Sequence, residues 1–481
     1  MEEKKYEEYT LPLTERYASK EMSYIFSPKF KFSTWRKLWV YLAEVERSLG
    51  LEIPQEVIDK MKDKIDDIDF EYAQEREREF RHDVMAHVHT FGHQVPEAKG
   101  YIHLGATSAF VGDNTDLIQI KEALKVIKKR LINLMKVLRD FSLKYKDLPV
   151  LGYTHFQPAQ PTTLGKRASL WLQDVMLVYE ELEFRLKTLR FRGAKGTTGT
   201  QASYMALFGY DEEKVKNLDE EITKKAGFDK YYMVTGQTYP RIVDAQVLST
   251  LSHIADVLSK MATDIRLLQH SKQIEEPFGK KQIGSSAMAY KRNPMRCERI
   301  GSLARFVISL SYSTHFTAAT QWLERTLDDS ANKRLAIPQT FLATDAIINI
   351  AINVISGMVV YPKVIERILK EELPFMATEE IIMAAVKKGK DRQDVHERLR
   401  VYAMETIEEV KMKGLENKFL EKVANDDYIG LSREELEKII DVKKFIGRAP
   451  SQVEEFIERE IDIILENNKH LINDKYDDLK V

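Results

Sequence analysis

The chain has almost no cysteine: Cys297 is the only one in 481 residues. Intrachain disulfides and cysteine-based zinc sites are therefore excluded, and a reducing cytosol is the expected setting. Charge of one sign is also missing. With 73 basic and 75 acidic residues the net charge is −2, without the basic excess of a general nucleic-acid binder. Long apolar runs are absent too. The most apolar stretch, Ala346–Tyr361, is interrupted by Asn349, Asn353, Ser356 and Gly357; it is shorter than a membrane span and reads as a buried helix. The N-terminus, Met-Glu-Glu-Lys-Lys-Tyr-Glu-Glu, is too polar for a signal peptide. These absences point to a cytoplasmic protein with neither membrane nor nucleic acid as partner. Proline is missing from residues 97–148 and 162–239, and no long period-two alternation appears, so strands should be minor.

What is present is helical periodicity. Leu117, Ile120, Leu124, Ile127, Leu131, Leu134 and Leu138 make one apolar seam at alternating steps of three and four. A second seam runs from Leu164 through Trp171 and Val178 to Leu189, and a third from Leu251 through Leu258 to Leu268. Long, narrow seams predict extended helices packed nearly parallel. The expected fold is all-α with three helical domains: residues 1–107, a central long-helix bundle over 108–360, and residues 361–481. The first boundary falls at the loop Gly105-Ala106-Thr107-Ser108, with a helix starting around Asp113–Thr115. Three such seams leave apolar surface over, which copies of the chain would bury most economically with closed symmetry. A homo-oligomer, a tetramer, is the expectation.

Five segments carry unusual polar density. Residues 284–296 read Gly-Ser-Ser-Ala-Met-Ala-Tyr-Lys-Arg-Asn-Pro-Met-Arg, preceded by Gly279, Lys280 and Lys281. Serine is a poor base unless cations or N–H donors stabilise its alkoxide, so Lys291 and Asn293 beside Ser285 suggest proton-transfer chemistry on a mobile loop; a merely solvated loop is the alternative. Arg81-His82-Asp83 precedes His89 and His93, which sit one helical turn apart at metal-ligand spacing. No glutamate lies between them to activate water, and structural or substrate-orienting roles are preferred over metal. Thr107 and Ser108 lie before a long helix, as an ordinary cap or as a carboxylate cradle. His155 lies in Thr-His-Phe-Gln-Pro-Ala-Gln-Pro, placed here in a loop marked by Pro149, Pro158 and Pro161; a histidine there can donate a proton near neutral pH. Arg325 and Arg334 bracket Ser330, either as a phosphate clamp or as a solvated turn.

Together these segments resemble the fumarase/aspartase superfamily, whose hallmark is a Gly-Ser-Ser-x-Met-x-x-Lys-x-Asn loop. The match takes in Arg16-Tyr17-Ala18-Ser19, Arg81 to His87, Thr154 to Gln160, Lys195 to Ser203, the Ser285 loop, Arg325 to Arg334, Pro374 to Glu379, Arg392-Gln393-Asp394 and Gly447-Arg448-Ala449. The Arg/Tyr, Arg-His-Asp and Arg/Ser/Arg segments point to the animal-type members that cleave purine nucleotides. That resemblance implies elimination of fumarate from adenylosuccinate, giving AMP, and from the succinylated aminoimidazole carboxamide ribotide (SAICAR), giving AICAR. It implies homotetramers whose active sites are shared between subunits, with no metal and no cofactor. It also implies roles. Ser285 would be the base, supported by Lys291 and Asn293, and His155 the acid, with His82 a further candidate for acid work. Thr107, Ser108 and Gln237 would contact the succinyl part. Arg16, Tyr17, Arg325, Ser330 and Arg334 would hold the phosphate, with Arg81, His82, Asp83 and Arg299 around the substrate. One residue departs from the pattern: Ala289 follows Met288 where proline is usual. Its free φ enriches the open loop by about 0.4–1 kcal/mol in entropy. Rival readings are a relative acting on argininosuccinate, fumarate or aspartate, none of which carries a phosphate, and a non-catalytic helical scaffold, against which the intact Ser285, Lys291, Asn293, His155 and His82 set argues.

Overall fold

The structure, a computed structural model, describes residues 7–279, 281–473 and 479. Lys280 and most of the polar N-terminal stretch lie outside the described residues. Five long helices build the centre: α1 (Ser108–Lys144), α2 (Leu164–Thr188), α3 (Ile242–His270), α4 (Met295–Ala319) and α5 (Asp328–Gly357). All seven residues of the first seam are completely buried on α1, and the second and third seams bury almost as fully on α2 and α3. Helices α3, α4 and α5 pack on one another, and α1 packs on α2 and α5. The fold is all-α, with four short strands among the described residues.

Helix α5 holds the apolar run flagged in the sequence. It is the one helix among the described residues long and apolar enough to cross a membrane, yet 78% of its apolar window is buried inside the protein. The Thr340 and Thr344 hydroxyls donate to carbonyls one turn back, and Asp345 accepts from Arg130 and from the Ser19 N–H. A helix apolar on every side belongs at the centre of a bundle.

Two local expectations change. Helix α1 begins at Ser108, with Thr107 extended as its N-cap, five residues before the expected start; Gly112 and the polar run after it are accommodated inside the helix because its first turns line a cleft. Residues 149–163 form an antiparallel hairpin rather than a loop, β1 (Pro149–Thr154) against β2 (Gln157–Thr163). Pro158 and Pro161 fit because this two-stranded ribbon has only edge positions.

The N-terminal helix Pro28–Ser48 contributes Trp35, Trp39 and Leu42 to the same continuous core as the bundle. A separate, smaller core gathers Ile381, Val395, Leu399, Phe419, Val423, Ile429 and Leu436, while Val453, Ile457, Ile461 and Leu465 return to the main one. The helix Pro28–Ser48 also carries Glu46, completely buried, with neither carboxyl oxygen hydrogen-bonded among the described residues. Burial pushes its pKa from 4.5 up to about 9. A raised folded-state pKa contributes stability that is full below the unfolded value and lost as pH rises through the folded one. Glu46→Gln is therefore expected to gain on the wild type by about 1.4 kcal/mol per pH unit between pH 5 and 8. Urea unfolding at several pH values checks this; parallel stability profiles for the two proteins would refute it.

Candidate active site

A cleft opens where the helices Pro28–Ser48, Phe70–Phe80 and Asp83–Gln94 meet α1 and α5. It encloses about 430 Å³ and is lined by Arg81, His82, Asp83, Ser108, Arg325, Ser330 and Arg334, with Lys31, Asp113, Asp116 and Lys333 at its walls. Seven residues chosen from sequence therefore converge here from three stretches of chain. Ser330 and Arg334 stand on one face at the start of α5 because they are four residues apart; Arg325 lies in the turn before it. Arg81 ends the helix Phe70–Phe80 in the left-handed conformation, φ 57°, which turns the chain directly into the helix Asp83–Gln94.

His82 caps that second helix. Its Nδ1 accepts the Met85 N–H at 3.3 Å, so a neutral ring carries its proton on Nε2, which faces Ser108 Oγ at 3.4 Å. The ring thus presents a donor to the cleft. Across the mouth, Arg334 Nη2 meets Asp83 Oδ2 at 3.1 Å. Thr107 Oγ1, at the N-cap of α1, is buried without a hydrogen-bond partner among the described residues. His89 packs on the Phe80 ring and His93 stacks on Tyr72, which assigns both to packing.

Beneath the cleft is a buried charge network that sequence reading missed. Asp113 accepts from Arg241 Nη2 at 3.1 Å, Lys333 Nζ at 3.1 Å and the Tyr239 N–H at 3.0 Å. Lys333 also meets Asp116 at 2.6 Å, and Arg241 meets Asp329 at 2.5 Å. Burial favours the neutral form of Asp113, but Lys333, Arg241 and Arg192 outweigh it and hold the carboxyl well below its usual range. Asp244, which accepts the Tyr239 hydroxyl proton at 2.6 Å, is pushed by burial up to about 6. No short spacing announces the Asp113 cluster, because Tyr239, Arg241 and Lys333 lie 126, 128 and 220 residues from Asp113.

The remaining expected residues lie elsewhere on the chain. Arg16 and Tyr17 form a short π-helical turn held by buried Leu13, and Arg299 of α4 stands 5.4 Å over the Tyr17 ring. Gln237 is stitched into a loop: its side-chain amide donates to Thr197 O, its N–H to Glu324 O, and its carbonyl accepts from Arg192. The Ser285 loop is largely exposed between β3 (Ile274–Glu275) and α4. Ser285 Oγ accepts the N–H groups of Ala287 at 3.2 Å and Met288 at 3.0 Å. Asn293 does not reach that hydroxyl; it donates to Gly284 O at 2.7 Å and closes the loop's neck. There the backbone crosses so closely that a Cβ on Gly284 would collide with Lys291 O. The Lys291 side chain is exposed and not hydrogen-bonded to Ser285. His155 and Phe156 form the two-residue tip of the hairpin, at φ 52° and 57°. Asn-Gly is the usual choice for that turn. A histidine and a phenylalanine held there carry backbone strain of the kind found at functional sites.

One chain therefore displays its serine loop, its histidine tip, its Arg/Tyr turn and its cationic cleft as separate clusters. The chain is a bundle of long helices that carries an exposed serine loop and an arginine-rich cleft. Residues 51–309 match the family described as Lyase. The crystal structure of 3-carboxy-cis,cis-muconate lactonizing enzyme from Pseudomonas putida shares the fold with a TM-score of 0.81, covering 95% of this chain and 99% of that one at 22% identity. Residues 374–456 match the adenylosuccinate lyase C-terminus family. The chain is 53% identical to the adenylosuccinate lyase of Saccharomyces cerevisiae and 49% identical to that of Schizosaccharomyces pombe, in each case over 99% of both chains. It belongs to the adenylosuccinate lyase family.

Proposed function

We propose that this chain eliminates fumarate from adenylosuccinate, giving AMP, and from SAICAR, giving AICAR. The observation that carries the reading is the cleft in which Arg81, Arg325 and Arg334 face Ser330, Ser108 and the His82 donor. Its arginines suit a phosphate, and relatives of the same fold acting on unphosphorylated acids have no use for such a cluster. Ser285 removes the proton beside a succinyl carboxylate, its alkoxide stabilised by the Ala287 and Met288 N–H groups that already point at Oγ. Lys291 adds positive charge as the loop closes. His155 protonates the departing nitrogen.

These groups meet between copies of the chain. Leu170, Leu177 and Phe184 repeat every seven residues along α2 and remain 46%, 52% and 59% exposed. Such a stripe asks for a partner helix, and a homotetramer with shared sites supplies one. Loss of adenylosuccinate absorbance under purified protein tests the reaction; no turnover would refute it. Mixing Ser285→Ala with His155→Ala tests the sharing. If the two residues come from different subunits, reassembled mixtures regain activity in about one quarter of the sites. A mixture as inactive as its components, or a monomeric mass by light scattering, would refute the shared site.

A further inference from the structure

Lys31 stands in the first turns of the helix Pro28–Ser48 and lines two adjoining hollows, the main cleft and a second of about 220 Å³ behind Arg334. Its ammonium lies 5.3 Å from the Phe32 ring and 5.1 Å from the Trp35 ring. These contacts hold the half-buried side chain along the cleft wall. The neighbouring cations have partners: Arg334 is paired with Asp83, and Lys333 with Asp113 and Asp116. Lys31 pairs with no carboxylate among the described residues. Burial lowers its pKa, and Arg334 and Lys333 lower it further, while Asp116 and Asp83 oppose them. A desolvated cation beside other cations is unfavourable until an anion arrives.

We propose that Lys31 is a substrate-binding residue, supplying a point charge to the phosphate monoester that Arg325, Ser330 and Arg334 also hold. Arg334 lies on the wall between the two hollows with Lys31, so an anion reaching the Arg334 guanidinium comes within the field of the Lys31 ammonium. The phosphate's second negative charge matches a lysine beside the arginine forks, since lysine binds as a compact charge without geometric demands. The inference rests on the lyase reading of this cleft and assigns it a residue that neither motif nor spacing revealed.

The test is Lys31→Met, with Lys31→Arg as the conservative partner and Lys31→Gln should the methionine variant fail to fold. Losing a charged contact made equally to bound substrate and transition state raises KM roughly 10- to 100-fold with kcat nearly unchanged. Inhibition by inorganic phosphate weakens by a similar factor, inhibition by fumarate stays as in the wild type, and Lys31→Arg restores most of the affinity. Calorimetry with inorganic phosphate reads the same loss without turnover. A folded Lys31→Met that binds phosphate like the wild type overturns the proposal, as does weakened fumarate inhibition with phosphate inhibition untouched. Failure of the lyase reading would appear separately, as a wild-type protein that binds phosphate but leaves adenylosuccinate intact.

Discussion

Ser285→Ala is expected to lower kcat for adenylosuccinate cleavage by roughly 10²–10⁴-fold, the range of a general base, with little change in KM. The loop should tolerate the change. Ser285 Oγ is only an acceptor for the Ala287 and Met288 N–H groups, and on an exposed loop water replaces it at small cost. Asn293 still closes the neck through Gly284 O. The deficit thus falls on proton abstraction rather than on folding or binding, since the arginines of the cleft are untouched. Steady-state absorbance kinetics, with circular dichroism to confirm the fold, provide the measurement. Full activity in the alanine variant would remove Ser285 from the role of base.

The bundle was legible because its long seams are written locally: each apolar residue on α1 to α3 is set by its neighbours three and four positions away. Helices α4 and α5 were less so. Helix α5 is apolar on all sides and contains Pro338, so it has no seam to read, and its register comes from the helices around it. The hairpin carrying His155 was read as a loop because its prolines suppress the strand signal. Residues whose chemistry follows from sequence company, such as Arg81-His82-Asp83 or Ser330 with Arg334, do converge in one cleft. Lys31 and Arg241 give no local signal, and Asp113 stands out only in the polar run at an expected helix start. Lys31 looks like any surface lysine near a helix start, and only the fold places it beside Arg334.

Asp113→Asn is expected to destabilise the protein by about 3–5 kcal/mol at neutral pH, the cost of breaking a buried ion pair while leaving its partner charged. The amide keeps the side chain's shape and an acceptor for the Tyr239 N–H, but turns its NH2 toward Arg241 and Lys333, which lose the charge and the acceptor together. Without that carboxylate, two cations keep only Asp116, Asp329 and the more distant Asp244, in a site where Asp113 is only 2% exposed. The sign with pH is fixed. A carboxyl held below its unfolded pKa contributes stability above that value and loses it as pH falls toward the folded one. The gap between wild type and variant is therefore widest near neutrality and narrows below the unfolded value of about 4. Chemical unfolding at one protein concentration across pH reads this directly; a variant within about 1 kcal/mol of the wild type at pH 7 would be inconsistent with a buried network dependent on that charge. The same substitution should raise KM. Lys333 and the first turn of α5 are tied down through Asp113, and Arg192, whose charge Asp113 also balances, holds the Gln237 carbonyl. The network beneath the cleft thus fixes the spacing of Ser330, Arg334 and Gln237, and its loss loosens the anion site from below while leaving the Ser285 loop unchanged.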